Sequence, residues 1–366
     1  MAALPPVPAA REIAPGLLSY EADEESTGFA TAPKNARPIV LLPGFGNSMA
    51  DYEAPFGDPS EGIAPQLRER GWRVHVLPLE RKAWLNVARS LLTLGVWRGT
   101  LTTDPGYSWY VKSVADTVRR AQDDAGAETV HLLGHSAGGW LGRAFLGRAR
   151  GSGLEAEAAE AAAAGSRLGP HPAVASLTTL GTPHRPPPKP VGGAAGGASG
   201  GARDMTGGAL GWVESSWPGA AYGDAGVRYV AVAGRSVRGC AAAARGRTRT
   251  LHSYAHDAYK QVAGEGDGVW GDCVVPTASA VLEGATNVVL DGVRHSMARI
   301  GSFDERAADD HVWYGSAQVL DSWLLHVAAL DTPDQAAGTG AAALAGVREA
   351  SVVLPGGSGE AGGAAV

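Results

Sequence analysis

The sequence predicts a doubly wound α/β fold with a mostly parallel sheet. Two observations carry this. Short apolar runs rich in β-branched residues alternate with stretches of helical periodicity, and one such run breaks into a helix at a serine framed by glycines. At 366 residues and 45% hydrophobic content, the chain is long enough for one large core with insertions.

The elements follow in order. Residues 37–42, RPIVLL, form a fully apolar strand ending in PGFGN. SEGIAPQLRERG (60–71) reads as a helix with a serine cap and a closing glycine, and RVHVLPL (73–79) as the next strand. Strand, helix, strand implies a parallel pair. Between Tyr107 and Ala127, Val111, Val114, Val118 and Ala121 mark one helical face, with Lys112, Arg119 and Arg120 off it. That helix feeds the strand Val130–Leu133, after which Trp140, Leu141, Ala144 and Phe145 recur at helical spacing. Further strands are expected at 174–181, 227–234 and 286–292, then a last helix, 316–330, with Leu320, Trp323, Leu324 and Val327 on one face.

Residues 151–169, 186–203 and the tail from about Thr332 are biased to Gly, Ala and Pro and offer little to bury. The expected organisation is an N-terminal extension (1–35), one domain (36–331) with a low-complexity insertion (151–169) and a lid (185–225), and a disordered tail (332–366). Net charge is -6 with no long basic stripe, which argues against nucleic acid as a partner. Cys240 and Cys273 stand in no metal-ligand spacing, so neither a disulfide framework nor a zinc site is expected. No apolar run approaches the roughly 18 residues that cross a bilayer. The N-terminus lacks a basic segment followed by an apolar one, so a soluble intracellular protein is expected; its Ala- and Pro-rich start is a poor plastid-targeting segment, with one Arg and the acidic run EADEE close behind.

VHLLGHSAGGW (130–140) carries the chemistry. A serine at a strand-to-helix corner projects above a sheet only if the backbone bends sharply, and residues two positions either side must then be nearly atomless. Gly134 and Gly138 meet that demand, giving the G-x-S-x-G nucleophile elbow. A serine hydroxyl needs a general base, and the base an orienting carboxylate. In chain order Ser, acid, His, the base is expected at His295, in the loop after the last strand. Asp272 is the first choice of acid, because Val274, Val275 and Pro276 can tie its loop to the core, and Asp267 is the second. His135 lies inside the elbow, His184 comes too early, and Asp291 reads as a turn residue. Oxyanion donors are expected from the Ala137 amide and from Phe45 or Gly46 in the PGFGN loop.

The blocks LLPGFGN, LGHSAGGW, LTTLGTPHRPPP, VAGRSVRG, AYKQV, WGDCVVP, LEGATNVVLDGVRHS and WYGS resemble the plant-type α/β-hydrolases grouped with GPI inositol-deacylase-like and lipase-like proteins, over about 37–330. The resemblance implies an α/β-hydrolase fold and a triad of Ser136, Asp272 and His295. It departs from that pattern at Cys273, where a glycine is usual, and in carrying none of the membrane spans of GPI inositol-deacylases. The expected activity is two-step cleavage of a carboxylic ester through an acyl-enzyme, with no metal or organic cofactor. Transfer of the acyl group to another alcohol, or an inactive hydrolase fold serving as a binding module, are the alternatives. The expected partner is a small-molecule or lipid ester, with membrane contact at most peripheral. Leu210, Trp212, Val213, Trp217 and Tyr222 make the lid apolar, while 83–97 is expected to pack as core rather than line the cleft, and Arg245, Arg247 and Arg249 to sit in a solvated loop.

Overall fold

In the computed structural model, residues 11–14, 17–20, 30–163, 169–188, 204–244, 250–297 and 311–332 are described. The apolar runs become strands: β1 (Arg11–Ala14), β2 (Leu17–Tyr20), β3 (Ile39–Leu42), β4 (Val74–Val76), β5 (Val130–His135), β6 (Val174–Leu180), β7 (Arg228–Arg235), β8 (Val237–Arg238), β9 (Trp270–Gly271) and β10 (Thr286–Asp291). Eight of them join in the order β1-β2-β10-β7-β6-β5-β3-β4, while β8 and β9 pair separately. Within the large sheet only β1 and β2 run antiparallel. The helices are α1 (Ala50–Glu53), α2 (Ile63–Glu69), α3 (Leu94–Arg98), α4 (Ser108–Ala125), α5 (Ala137–Leu146), α6 (Glu155–Ala163), α7 (Ala209–Ser216), α8 (Ala241–Ala244), α9 (Leu251–Ala263), α10 (Thr277–Ala280) and α11 (Ala317–Ala328).

The central strands are apolar throughout because both faces are covered, as parallel sheets require. Val40 and Leu42 of β3 and Leu132 of β5 join one core with α4 and α5. Ile39, Leu41 and Leu133 point the other way, into a core with α2 and α11. The predicted faces of α4 and α11 are buried. Each buried Val or Leu contributes about 1.5–3 kcal/mol relative to exposure, which selects this register over a one-residue slip. A parallel sheet with helices on both faces, and a strand-to-helix corner at its centre, is the α/β-hydrolase fold.

Four segments differ from expectation. The N-terminal stretch, expected to be an extension outside the domain, supplies β1 and β2, and β2 pairs in parallel with β10, whose edge would otherwise stand open. Within 151–169, Glu155–Ala163 is helical: alanine has the highest helix propensity, and Glu155 and Glu157 sit in the first turn, where the helix dipole favours acid. In the segment expected as a lid, α7 is not a loose flap, since Ala209, Leu210 and Val213 are buried and Trp212, Trp217 and Tyr222 pack on the same core as α5. Residues 83–97, expected as core, run as 3₁₀ turns over Arg81–Leu92 and then α3. Trp84 is buried, but Leu85, Leu91, Leu92, Leu94 and Trp97 face outward. Three residues per turn do not gather a stripe of 3.6 spacing on one side. Residues 189–203, Arg245, Arg247, Arg249 and the tail beyond Thr332 lie outside the described residues.

Candidate active site

β5 is buried along its whole length and delivers Ser136 at the corner before α5, with φ 52° and ψ -123°. A non-glycine residue in this region stores strain that the surrounding packing must hold. The packing is visible at the neighbouring glycines. A Cβ on Gly134 would lie 2.5 Å from the Cα of Gly139, and one on Gly138 would run into the carbonyl of Leu42 at the end of β3. Gly44 is equally tight, since a Cβ there would stand 2.8 Å from that of Ser136. The corner therefore closes only with glycine at these places, and it seats the PGFGN loop against the serine.

Three loops at the same end of the sheet complete the site. Ser136 Oγ lies 2.9 Å from His295 Nε2, and His295 Nδ1 lies 2.8 Å from Asp272 Oδ2. The His295 amide donates to the Asp272 carbonyl at 2.8 Å, so backbone as well as side chain ties base to acid. Asp272 is fully buried, and its carboxylate accepts four donors. Oδ1 takes the amides of Val274 and Val275, at 3.0 and 2.7 Å, and Oδ2 takes the His295 ring and the Tyr314 hydroxyl, at 2.8 Å each. Four donors offset the lost hydration of a buried carboxylate. Tyr314 Oη in turn accepts from the Gly234 amide at 2.7 Å, and burial pushes its phenol well above the usual range, so it remains a donor.

Beneath the elbow, His135 joins the base to the PGFGN loop. Its Nε2 donates to the His295 carbonyl at 2.6 Å, so in the neutral ring Nδ1 accepts the Tyr52 hydroxyl at 2.7 Å. Burial, with His295 beside it, lowers the His135 pKa to about 3, which keeps the ring neutral. Tyr52 Oη accepts from the Gly44 amide and the Asn47 side chain, at 2.9 and 3.0 Å. The loop is held from three further sides: Tyr110 donates to the Pro43 carbonyl, Trp84 to that of Asn47, and the Asn47 amide to that of Gly44. Ala137, as first residue of α5, has an amide without a partner inside its helix.

The structure thus brings Ser136, Asp272 and His295 into one hydrogen-bonded chain, with Ala137 following the serine and Gly44, the residue before Phe45 and Gly46, packed against it. Asp267 stands apart: it is exposed, and its carboxylate accepts the Ala241 amide at 2.7 Å. His184 is buried beside Thr179 and Arg143, and Asp291 pairs with Arg235. Cys273 has φ 88°, a left-handed conformation that glycine adopts more readily, and burial pushes its thiol up to about 12, so it stays a protonated core residue. Tyr314 and Tyr52 escaped the sequence reading. Tyr314 lies in the WYGS block, but nothing in spacing links it to an acid 42 residues away.

No protein-family model matches the chain, and no curated protein matches it. Among solved structures it is similar to the Bacillus licheniformis lipase BlEst2 in mature form, at 16% identity and TM-score 0.40, over 72% of this chain and 86% of that one. It is also similar to the thermophilic carboxylesterase EstE1 from a metagenomic library, at 14% identity and TM-score 0.33, over 90% and 91%. A third is the gene lin2722 product of Listeria innocua, at 12% identity and TM-score 0.34, over 82% and 90%. The strand order and the corner at Ser136 define the fold. Among the described residues, no helix is long and apolar enough to cross a membrane.

Proposed function

We propose that the protein is a serine hydrolase that cleaves carboxylic esters through an acyl-enzyme. The observation that carries this reading is the unbroken chain Ser136 Oγ, His295, Asp272 at 2.9 and 2.8 Å, ending on a fully buried carboxylate. Ser136 attacks the acyl carbon while His295 Nε2 takes its proton, and the ion formed on the imidazole is held by Asp272. The developing oxyanion is met by the Ala137 amide and by Phe45 or Gly46. His295 returns the proton to the leaving alcohol, then activates the water that releases the acid. No step calls for a metal or organic cofactor.

The substrate proposed is a hydrophobic, lipid-like acyl ester. Phe45, 61% exposed, packs on Trp84 in a tilted arrangement with ring centres 5.0 Å apart, an apolar pair in the loop whose Gly44 lies against the serine. The motif resemblance to lipase-like and GPI inositol-deacylase-like hydrolases points the same way. The test is a p-nitrophenyl ester series. Turnover should rise from acetyl to octanoyl chains, and Ser136→Ala should lower it by at least a thousandfold. A maximum at acetyl would overturn the substrate reading, and a Ser136→Ala enzyme that kept its rate would overturn the hydrolase.

A further inference from the structure

Five of the ten large apolar residues that stand exposed among the described residues fall between residues 85 and 97, and Leu92 is 90% exposed. Ordinary soluble surfaces scatter such residues singly, and a cluster of this kind marks an interaction site. The segment is one built element. Trp84 anchors it, buried against Trp109 and Tyr110, and the Trp97 indole donates to the Leu91 carbonyl at 3.2 Å, folding α3 back on the preceding turns. It also continues into the candidate active site, because Trp84 touches Phe45 and bonds Asn47.

Its charge is the reverse of the molecule's. The chain carries -6 overall, yet residues 80–98 hold Arg81, Lys82, Arg89 and Arg98 against Glu80 alone. All four cations are exposed. Arg81 pairs with Asp51 and Lys82 with Glu80, while Arg89 and Arg98 flank Leu91, Leu92 and Leu94 in sequence. Exposed apolar side chains flanked in sequence by exposed basic ones on a short helical element match a surface that is apolar beneath and anionic above. We propose that residues 80–98 dock this protein on an anionic lipid bilayer, with Leu92, Leu94 and Trp97 entering the acyl boundary and Arg89 and Arg98 meeting the headgroups. A second copy of the chain would cover the leucines equally well, but two basic rims would then face each other. Docking brings Phe45, which packs on Trp84, toward the lipid surface.

Co-sedimentation of the full chain with vesicles tests this, using Ser136→Ala protein so that binding is read without turnover. Vesicles of phosphatidylcholine with 30% phosphatidylglycerol should bind it at least tenfold more tightly than phosphatidylcholine alone. Leu92→Asp with Leu94→Asp should lower that binding at least tenfold. Arg89→Gln with Arg98→Gln should lower it roughly thirtyfold on the anionic vesicles and little on the neutral ones, each charge near the surface counting about fivefold. In the wild-type background, both double variants should cleave a soluble short ester at the unmodified rate. No sedimentation with either vesicle, or binding unchanged by both double variants, would overturn the proposal. So would light scattering that showed a dimer dissociated by the leucine variant. Vesicle binding without any esterase activity would leave the docking surface standing and sink the ester reading alone.

Discussion

At Asp272, four donors converge on one carboxylate, and only one of them is the candidate base. Asp272→Asn keeps the shape but offers an amide where His295 needs an acceptor, so turnover should fall about ten-thousandfold. Asp267→Asn touches only the cap on Ala241 and should stay within about twofold of wild type. The reverse ranking in steady-state kinetics would show that the acid is Asp267. Tyr314→Phe removes one donor from the carboxylate and one acceptor from the Gly234 amide; about tenfold lower kcat with KM unchanged is expected, because the phenol lies behind the acid, away from substrate. A change confined to KM would contradict that placement.

At the scale of elements, the corner between β5 and α5 was legible because a steric demand is written there as residue types at fixed spacing. Gly134 and Gly138 each sit where a Cβ would meet backbone. Gly138→Ala should therefore cost about 3 kcal/mol or more, since the carbonyl of Leu42 belongs to a buried strand and cannot give way. Urea unfolding checks this, and a midpoint near that of wild type would mean that the corner is looser than its geometry. That His295 and an aspartate of the 267–272 loop would meet Ser136 was legible from chain order, and the apolar Val274, Val275 and Pro276 singled out Asp272 within that loop. Tyr52, His135 and Tyr314 were not, because their contacts join loops far apart in sequence and depend on which way a side chain turns. Residues 83–97 misled for a different reason. An apolar stripe reads identically whether it faces a core or a partner surface, and only the 3₁₀ backbone decides between them.

Across the whole molecule, several histidines are buried in forms that resist protonation. Burial lowers the pKa of His135 to about 3 and of His171 to about 4, and takes His184 well below its ordinary value. An unfolded histidine titrates near 6.5. As pH falls below that value, the unfolded chain binds protons that the folded one refuses, so stability drops until the folded pKa values are reached, at about 4 for His171 and lower for His135. Each such group contributes up to about 1.4 kcal/mol per pH unit. Urea midpoints should be level from pH 8 to 7 and fall steadily between pH 6 and 4.5. A flat profile across that window would show that these side chains reach solvent in the folded state.

The central claim is that Ser136 is an activated nucleophile, and covalent labelling with a fluorophosphonate probe tests it most directly. The probe phosphonylates a serine only when a base removes its proton and an oxyanion site receives the developing charge. Wild-type protein should label stoichiometrically within minutes, with peptide mass spectrometry placing the adduct on Ser136. His295→Ala should label at least a hundredfold more slowly, and Ser136→Ala not at all. Folded wild-type protein that stays unlabelled, or an adduct on any other serine, would contradict the account.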